Sequence, residues 1–260
     1  MLYRTNKIRL FFFLFLFTSS FLYAQTNKTD EQGRKQGQWI KYKDGVKSYQ
    51  GQFLDDYPIG VFYRYYPSGR IMSKSIFSQK GNKNRAEFYY DNRKHSLKAK
   101  GNYLEKKKDS IWLLYNETAV LVSQEQYDMG TAQGLWELFD YRGILVKETI
   151  YDLGKIHTAQ KEFFENGQLQ RLITFQHDTI NGLFEVYFED GQIRISGMFL
   201  NGLKDKRWTY YHADGSVYFI EEYSEGIILK RMDEKGNHFE MPVENDSIPL
   251  DIDPAEMKME

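Results

Sequence analysis

The stretch Gly182-Leu-Phe-Glu-Val-Tyr-Phe-Glu-Asp-Gly191 decides the fold, because its pattern returns about every 24 residues along the chain. In most copies a small residue stands two positions before a Trp or Phe, and the copies start at positions 60, 84, 110, 134, 158, 182 and 206. Every step is 24 residues except one of 26; an earlier unit starts at Gly37, one residue short of the period, and the copy at 84 is weak. The aromatic residues that define the repeat are Trp39, Phe62, Trp112, Trp136, Phe184 and Trp208.

Each copy predicts a β-hairpin. A glycine follows the aromatic run, usually after Asn, Asp or Ser, and such dipeptides accept the positive φ of tight turns. Beyond the turn, Ile193, Ile195 and Phe199 are spaced to share one face of a strand. Before the turn, Trp136 and Phe139 are three positions apart, which places them on opposite faces unless a bulge intervenes. The turn glycines are Gly45, Gly69, Gly143, Gly167, Gly191 and Gly215.

The repeat predicts an all-β fold, an antiparallel sheet of about eight stacked hairpins over residues 37–237. One hairpin alone is marginal in water, but stacking buries the apolar face of each unit against its neighbours. The 17% content of Phe, Trp and Tyr agrees, since aromatic residues favour strands. Residues 25–36 form a lead-in, and residues 238–260, rich in acidic residues and proline, are expected to be a disordered tail.

The first 24 residues have the pattern of an export signal. Three basic residues occur among the first nine, residues 10–17 are continuously apolar, and Ala24 offers a cleavage point. The apolar run is short for a membrane span, which needs about 20 residues. We therefore expect a signal peptide at 1–24 and a periplasmic or secreted protein. The chain has no cysteine, which excludes a lipoprotein anchor and disulfides.

Charge and motif content argue against several classes of function. Removing Arg4, Lys7 and Arg9 with the signal takes Lys+Arg from 35 to 32 against 36 Asp+Glu, a net charge of −4, whereas nucleic acid requires a basic face. No serine elbow, phosphate loop or zinc-protease helix occurs. His177-Asp178, and His212 with Asp214, are better explained as turn residues than as metal ligands. We expect no catalytic residue, cofactor, metal or small-molecule substrate.

Three groups of residues are candidates for binding. The tryptophan row is predicted to be core, with a carbohydrate groove as the alternative. The basic stretch Lys94 to Lys108 is interpreted as a charged loop that protects a sheet edge, with a site for anionic polymer or lipid headgroups as the alternative. Adjacent aromatic pairs must place one ring on each face, and exposed rings would mark a contact surface. Its candidate residues are Tyr66, Tyr90, Phe164, Phe188 and Tyr210.

Residues 134–143 and 182–191, together with the entry Asp30-Glu-Gln-Gly-Arg-Lys-Gln-Gly-Gln-Trp39, resemble the MORN-repeat variant family over about residues 33–237. The resemblance implies an elongated, curved antiparallel sheet with a binding or scaffolding role. Bacterial members are commonly labelled antitoxin-like. We expect a non-enzymatic protein-interaction scaffold of the cell envelope, with a protein partner. The alternatives are a glycan- or cell-wall-binding module, an antitoxin-like component of a toxin–antitoxin system, and an enzyme with a novel site.

Overall fold

The computed structural model describes residues 26–238, which form one antiparallel sheet in which, apart from the two-residue strand at 131–132, each strand pairs with the next in sequence. The predicted all-β sheet of hairpin repeats is confirmed. The predicted signal peptide at 1–24 lies outside the described residues, as does the predicted tail apart from His238. The lead-in contributes β1, which pairs with β2 and accepts a hydrogen bond from Trp39 Nε1 at Lys28 O, 3.2 Å away.

Nineteen strands lie within residues 26–238, and a single 3-10 turn, Gln79–Gly81, joins the fifth strand to the sixth. The short β10 pairs with β9, which also pairs with β11. The strands are β1 (Lys28–Thr29), β2 (Lys35–Lys43), β3 (Val46–Leu54), β4 (Tyr57–Tyr65), β5 (Ile71–Ser78), β6 (Lys83–Tyr89), β7 (Leu97–Leu104), β8 (Lys107–Tyr115), β9 (Leu121–Asp128), β10 (Thr131–Ala132), β11 (Gly134–Phe139), β12 (Leu145–Asp152), β13 (Lys155–Phe163), β14 (Leu169–Gln176), β15 (Thr179–Tyr187), β16 (Ile193–Leu200), β17 (Leu203–Tyr211), β18 (Val217–Ser224) and β19 (Ile227–Met232).

One face of the sheet, the Trp face, carries a continuous column of side chains that crosses the strands. Large and small members alternate along parts of this column, so that Phe184 lies opposite Gly197 and Phe62 opposite Ser75. The opposite face is called the Tyr face below. The column contains Trp39, Gly51, Phe62, Ser75, Ala86, Gly101, Trp112, Glu125, Trp136, Thr149, Gln160, Ile173, Phe184, Gly197, Trp208 and Glu221.

The small residue that opens most repeats sits at a bulge. Its φ is positive at Gly60 (61°), Gly134 (69°) and Gly182 (103°), a backbone region that favours glycine. Ser110 adopts the same conformation without being glycine. The weak copy at Asn84 has no such bulge, since the register of β5 and β6 is unbroken. The backbone at this position therefore favours glycine, although Thr158 and Lys206 also adopt a positive φ there (71° and 60°).

A second bulge lies beside the hairpin turn and settles the placement of the paired aromatics. The register shifts between Leu138 and Phe139, but the extra residue belongs to the partner strand β12. Neighbouring residues of the first strand therefore still alternate between faces. Phe88 contacts Trp112 on the Trp face, and the next residue, Tyr89, donates its hydroxyl to Glu87 on the Tyr face. The prediction that the first strand carries aromatics on both faces is confirmed.

Turns within the hairpins use three residues, the last of which is a glycine in most hairpins. Phe164 N donates to Gln168 O, Gly167 N donates to Phe164 O, and Gly167 has φ 82°. Gly45 differs, because it occupies a two-residue turn in which Asp44 also has positive φ. That shorter turn explains why the first unit is one residue short. The 26-residue step arises in a longer loop, in which Tyr90 N donates to Ser96 O.

Turns between the hairpins are a second type that the sequence analysis did not identify. Two residues connect the strands, and both have positive φ at Asp55 and Asp56 (52° and 68°) and at His177 and Asp178 (49° and 70°). This is the geometry of a two-residue hairpin turn whose twist matches the strands. Few of these positions are Asn-Gly or Asp-Gly, so the usual sequence signal is weak here.

Candidate contact surface

The tryptophan row is mostly core, as predicted. Trp208 and Phe184 are 0% exposed, Trp112 is 2% exposed and Phe62 is 9% exposed. Trp39 and Trp136 are half-buried. A carbohydrate groove in this row would need exposed rings, and none of the four tryptophans is among the exposed large side chains of residues 26–238.

Glycines allow these rings to be buried in a single sheet. A Cβ at Gly197 would lie 2.2 Å from the Trp208 ring, and a Cβ at Gly101 would lie 2.4 Å from the Trp112 ring. Each ring therefore lies flat on the backbone of the preceding strand, in space that any other residue would fill. On the strand before Trp136, Glu125 stands where Trp208 and Trp112 have a glycine, and the Trp136 ring is only half-buried.

Lysines cover the tryptophan rings from the other side. Lys35, Lys108 and Lys204 each stand four residues before a tryptophan, with Nζ 4.9, 4.9 and 4.3 Å from the centre of its ring. An ammonium group is attracted to the face of an aromatic ring, while the aliphatic stem adds apolar contact. These lysines therefore complete the core and do not form a free basic surface.

A buried carboxylate ends the column at its C-terminal side. Glu221 is 4% exposed and accepts hydrogen bonds from Arg231 Nη2 (2.6 Å), Tyr210 Oη (2.9 Å) and Tyr223 Oη (2.8 Å). Burial raises the pKa of Glu221, but these hydrogen bonds and the nearby Lys204 outweigh it, so that the pKa lies below its ordinary value. The network gives the last repeat a charged end, as terminal repeats require.

The same network occurs once more, four repeats earlier. Lys108 Nζ lies 3.2 Å from Glu125 Oε2, and Tyr127 donates its hydroxyl to that oxygen over 2.8 Å. Burial and the hydrogen bond to Glu125 raise the pKa of Tyr127. Because both networks tie a lysine, a tryptophan, a glutamate and a tyrosine of one hairpin together, we interpret them as structural.

The rings predicted to form a contact surface do not stand free. Tyr66 donates its hydroxyl to Tyr89 O (2.8 Å) and Tyr90 donates its hydroxyl to Tyr115 O (2.9 Å), so both join neighbouring hairpins. Phe164 and Phe188 hold the same repeat position and are also half-buried.

The prediction that Tyr210 is exposed is wrong, because its ring is 5% exposed and stacks on Phe219 with 4.1 Å between ring centres. Tyr210 lies on the Trp face, two positions before the place that Tyr66 and Phe188 occupy in their repeats.

A row of exposed apolar side chains lies instead on the Tyr face and is here called the aliphatic stripe. Its members come one residue before the Trp/Phe position or one residue before the second aromatic of a repeat. Opposite strands pair them, as in Val61 with Ile76 and Leu183 with Met198. Val61, Ile76, Ile111, Leu135 and Met198 are 41, 45, 51, 39 and 39% exposed. The stripe consists of Val61, Ile76, Ile111, Leu135, Ile150, Leu183 and Met198.

Charged side chains lie beside the stripe in a row of pairs. Lys74 Nζ is 3.9 Å from Glu87 Oε2, and Lys161 Nζ is 3.4 Å from Glu148 Oε2. Burial and the neighbouring Glu87 raise the pKa of Tyr89 to about 12, so that its hydroxyl stays protonated and donates to Glu87 at neutral pH. The stripe is thus an apolar strip bordered by charges that already have partners on the same face.

The basic stretch Lys94 to Lys108 is not a loop as a whole, which corrects that interpretation. Lys98 and Lys100 lie in β7 and pack over Tyr90 and Tyr115, with Nζ 5.4 and 5.9 Å from the ring centres. Lys108 belongs to the core network described above. The segment before β7 is a loop that contains the two extra residues of the long step, and Glu105 and Lys106 form the turn between β7 and β8.

The histidines do not assemble a metal site in the described part of the chain. His157 and His177 come together, with 4.8 Å between ring centres. No group of three or more His, Asp or Glu residues that could hold a metal ion occurs within residues 26–238. The same residues contain no helix long and apolar enough to span a membrane.

These features define a class of protein: a hairpin-repeat protein made of one antiparallel sheet, with a closed core on one face and an aliphatic stripe on the other. Residues 156–177 and 180–201 match the model of the MORN repeat variant family, and the chain therefore carries MORN-variant repeats. The two matched segments cover β13 with β14 and β15 with β16, which is one hairpin each.

Comparison with solved structures adds no functional argument. The chain resembles a TcdB2-TccC3-Cdc42 complex chain (11% identity, 77% of this chain and 15% of that chain, TM-score 0.19). It also resembles the Photorhabdus luminescens Tc holotoxin pore with the TccC3 mutation D651A (12% identity, 76% of this chain and 12% of that chain, TM-score 0.21). A porin-like protein from Bacteroides uniformis is similar at 10% identity, over 74% of this chain and 91% of that chain, with a TM-score of 0.19. This chain spans less than a sixth of the first two chains, and such low TM-scores support no inference. No curated protein matches the chain.

Proposed function

We propose that this protein is an exported, non-enzymatic scaffold of the cell envelope that binds a protein partner along its aliphatic stripe. The observation that carries the proposal is the position of the exposed apolar side chains. Five of them form a row on the Tyr face, while the Trp face covers its own rings with glycine backbone, lysine stems and tyrosines. Apolar patches that remain exposed on a folded protein usually mark a contact surface.

The dimensions of the stripe suit an elongated partner. From Ile76 in β5 to Met198 in β16 the sheet advances ten strands, because β9 pairs directly with β11, and at about 4.8 Å per strand this is roughly 48 Å along the sheet. A contact of that length and two residues wide is compatible with a standard protein–protein interface of about 800 Å² per partner. The paired charges beside the stripe would form the polar rim that such interfaces have.

The repeat type supports the same proposal. MORN repeats are in general protein-interaction modules, and two of the hairpins match that family. The envelope location rests on the basic, apolar and small-residue pattern of residues 1–24. The proposal of a non-enzymatic role rests on the lack of catalytic motifs in the sequence.

The proposal is tested by placing a photo-crosslinking amino acid at Ile111 or at Leu135 in the mature chain expressed in its own envelope. Leu138 is the matched control, since it is 45% exposed but lies on the Trp face. We expect the same crosslinked protein from both stripe positions and none from Leu138. Equal crosslinking from all three positions, or crosslinking only from Leu138, would contradict the proposal.

A substitution experiment on the purified partner complements the crosslinking. We expect Ile111→Glu together with Leu135→Glu to weaken binding at least 100-fold, because two charges would have to be desolvated in the contact. Gln126→Glu, next to Ile111 on the same face, is the control for added charge alone. A polysaccharide-binding assay and an assay for a cytoplasmic toxin partner test the two other functions, and a positive result with unchanged affinity in the stripe variants would replace the scaffold proposal.

A further inference from the structure

The aliphatic stripe is part of a longer row of cross-strand pairs on the Tyr face, here called the stripe row. Each of eight hairpins contributes one pair, made of the residue before the Trp/Phe position and the residue before the second aromatic. Four of these hairpins, from β2 to β9, lie on one side of the gap between β9 and β11, and four, from β11 to β18, lie on the other. The pairs are Gln38 with Gln52, Val61 with Ile76, Arg85 with Asn102, Ile111 with Gln126, Leu135 with Ile150, Ala159 with Thr174, Leu183 with Met198 and Arg207 with Glu222.

The stripe row has the same pattern in both directions from that gap. Counted outward, the first pair of each half has an aliphatic member, the second is polar or small, the third is wholly aliphatic and the fourth is polar. Reflection about the gap places every aliphatic member opposite another one except Leu135, which falls opposite Gln126. A surface that contacts a second copy across a two-fold axis must be complementary to itself, and a pattern that reads alike from both ends meets that condition.

We propose that the occupant of the aliphatic stripe is a second copy of this chain, in a dimer whose two-fold axis runs parallel to the strands between β9 and β11. This inference rests on the proposed function, because it names the partner of the stripe. Each strand then meets the strand that lies equally far on the other side of the axis. The apolar contacts join Ile76 to Leu183 of the second copy, Val61 to Met198, and Ile111 to Ile150.

The other two-fold arrangement of the same faces is unfavourable. An axis along the stripe row would place each strand opposite its own copy, so that Arg85, Arg207 and Glu222 would each meet an identical charge. In the proposed arrangement the long Arg85 side chain meets the short Thr174, and Arg207 meets Gln52. The positions of the charged members of the row therefore select the axis that runs parallel to the strands.

The charged row beside the stripe contributes one favourable and one unfavourable pair. Lys74 falls opposite Glu185 of the second copy, on the strands that bring Ile76 and Leu183 together. Lys100 falls opposite Lys161, whose ammonium group has Glu148 of its own copy at 3.4 Å, which reduces the repulsion. These charges largely offset each other, so that the apolar stripe supplies the free energy of association.

The area covered is that of a modest dimer. The stripe and the charged row lie about 6.6 Å apart along a strand, so that together they cover roughly 13 Å by 48 Å. This is roughly 600 Å² on each copy and roughly 1,200 Å² in total, at the lower limit of specific, stable interfaces. We therefore expect the dimer to form at micromolar and not at nanomolar concentrations.

A charge exchange followed by sedimentation equilibrium of the mature full-length protein tests the arrangement. We expect Ile76→Glu alone and Leu183→Lys alone to weaken dimerisation at least 100-fold, because a charge would be buried against an apolar side chain. Both substitutions in one chain should restore dimerisation to within about ten-fold of the unchanged protein, since the new charges face each other across the dimer. Within one copy the two positions are nine strand spacings, about 43 Å, apart, so that they cannot pair there.

The matched control is Ile76→Glu with Ile150→Lys, which adds the same two charges at positions that do not face each other and should stay monomeric. The substitutions are compatible with folding, because Glu222 and Arg207 already hold the repeat positions of Ile76 and Leu183. Circular dichroism of each variant checks that the sheet is intact.

Cysteine crosslinking tests the same contact without new charges, because the chain contains no cysteine. Chains with Ile76→Cys are mixed with chains with Leu183→Cys and treated with a bismaleimide that spans about 10 Å, the usual distance between packed sheets. We expect crosslinked dimers that contain one chain of each kind. Neither variant alone should crosslink, since identical positions lie about 43 Å apart in the proposed dimer.

Four results would each overturn the inference: a monomer at about 0.1 mM, a dimer that Ile76→Glu does not weaken, a double variant no better than its control, or crosslinking within a single cysteine variant. The proposed function fails separately. Photo-crosslinks from Ile111 and Leu135 to a different protein, in a chain that is itself monomeric, would overturn the dimer and leave the scaffold proposal standing. Photo-crosslinks from Leu138 alone would overturn both.

Discussion

Replacing Gly197 with alanine tests the reason why a single sheet can bury a tryptophan. The Trp208 ring is 0% exposed and lies flat on the backbone at Gly197, where an added Cβ would be 2.2 Å from Cδ2 and 2.4 Å from Cε2. The ring cannot slide aside, because Phe199 and Phe184 lie 5.0 and 5.3 Å from it, centre to centre. Gly197 has an extended backbone, so that strain in φ does not contribute.

The magnitude follows from the size of this overlap. Carbon atoms are in ordinary contact at about 3.5–4.0 Å, so that alanine at Gly197 forces a displacement of more than about 1 Å in a filled site. Overpacking of a core costs about 1–3 kcal/mol, and a fully enclosed ring places this substitution at the upper end, about 3 kcal/mol. For a protein of this size that corresponds to a fall in Tm of roughly 6–12 °C.

The assay is denaturant unfolding of the mature protein followed by tryptophan fluorescence and circular dichroism. Ser196→Ala is the matched control, because it changes the neighbouring residue on the other face and is expected to alter the free energy of unfolding by less than about 0.5 kcal/mol. In a double-mutant cycle, Trp208→Phe should recover part of the loss caused by Gly197→Ala, since the smaller ring relieves the overlap. A loss below about 0.5 kcal/mol for Gly197→Ala would refute the packing argument.

Three further predictions concern the ends and turns of the repeats. Glu221→Gln should cost about 2 kcal/mol, because it removes the charge that Arg231 pairs with. Since the pKa of Glu221 is lowered by folding, its stabilisation is complete above about pH 4.3 and is lost as the pH falls through the folded-state pKa; urea unfolding should show a shallower acid decline in the variant. Glu105→Asn with Lys106→Gly should raise Tm by a few degrees, since both positions have positive φ (50° and 67°) in a two-residue turn. Tyr90→Phe should cost about 1 kcal/mol in thermal unfolding by removing its hydrogen bond to the next hairpin, and no loss would contradict that role.

Much of the fold could be predicted because the repeat shows where strands and turns recur. Burial of Ile195 and Phe219 beyond the turns follows from alternation alone, and the structure confirms it. The prediction of which residues form a contact surface was wrong where alternation along a strand was compatible with two different environments of the side chain. A tyrosine such as Tyr66 can look exposed by alternation, yet its hydroxyl reaches the backbone of the next hairpin. The sequence distance of 23 residues in that bond gives no local signal.

The aliphatic stripe was missed for a similar reason. Ile111 precedes Trp112, and a single aliphatic residue beside a tryptophan has no meaning until the strands are placed side by side. Its exposure of 51% depends on its neighbours across the sheet, Gln126 above all, which do not cover it. A signal was present in hindsight, since valine, isoleucine or leucine returns at this repeat position in four units.

The sequence by itself determined the repeat length, the all-β class, the hairpin turns and the identity of most core aromatics, because these follow from local backbone preference and from alternation along a strand. Only the tertiary structure decided which glycines lie under rings, which lysines cover them and which face remains apolar. Those outcomes depend on contacts between strands that are far apart in sequence or in different hairpins. A Gly197 that supports Trp208 and a Gly167 that forms a turn look alike in the sequence, and only their neighbours in space distinguish them.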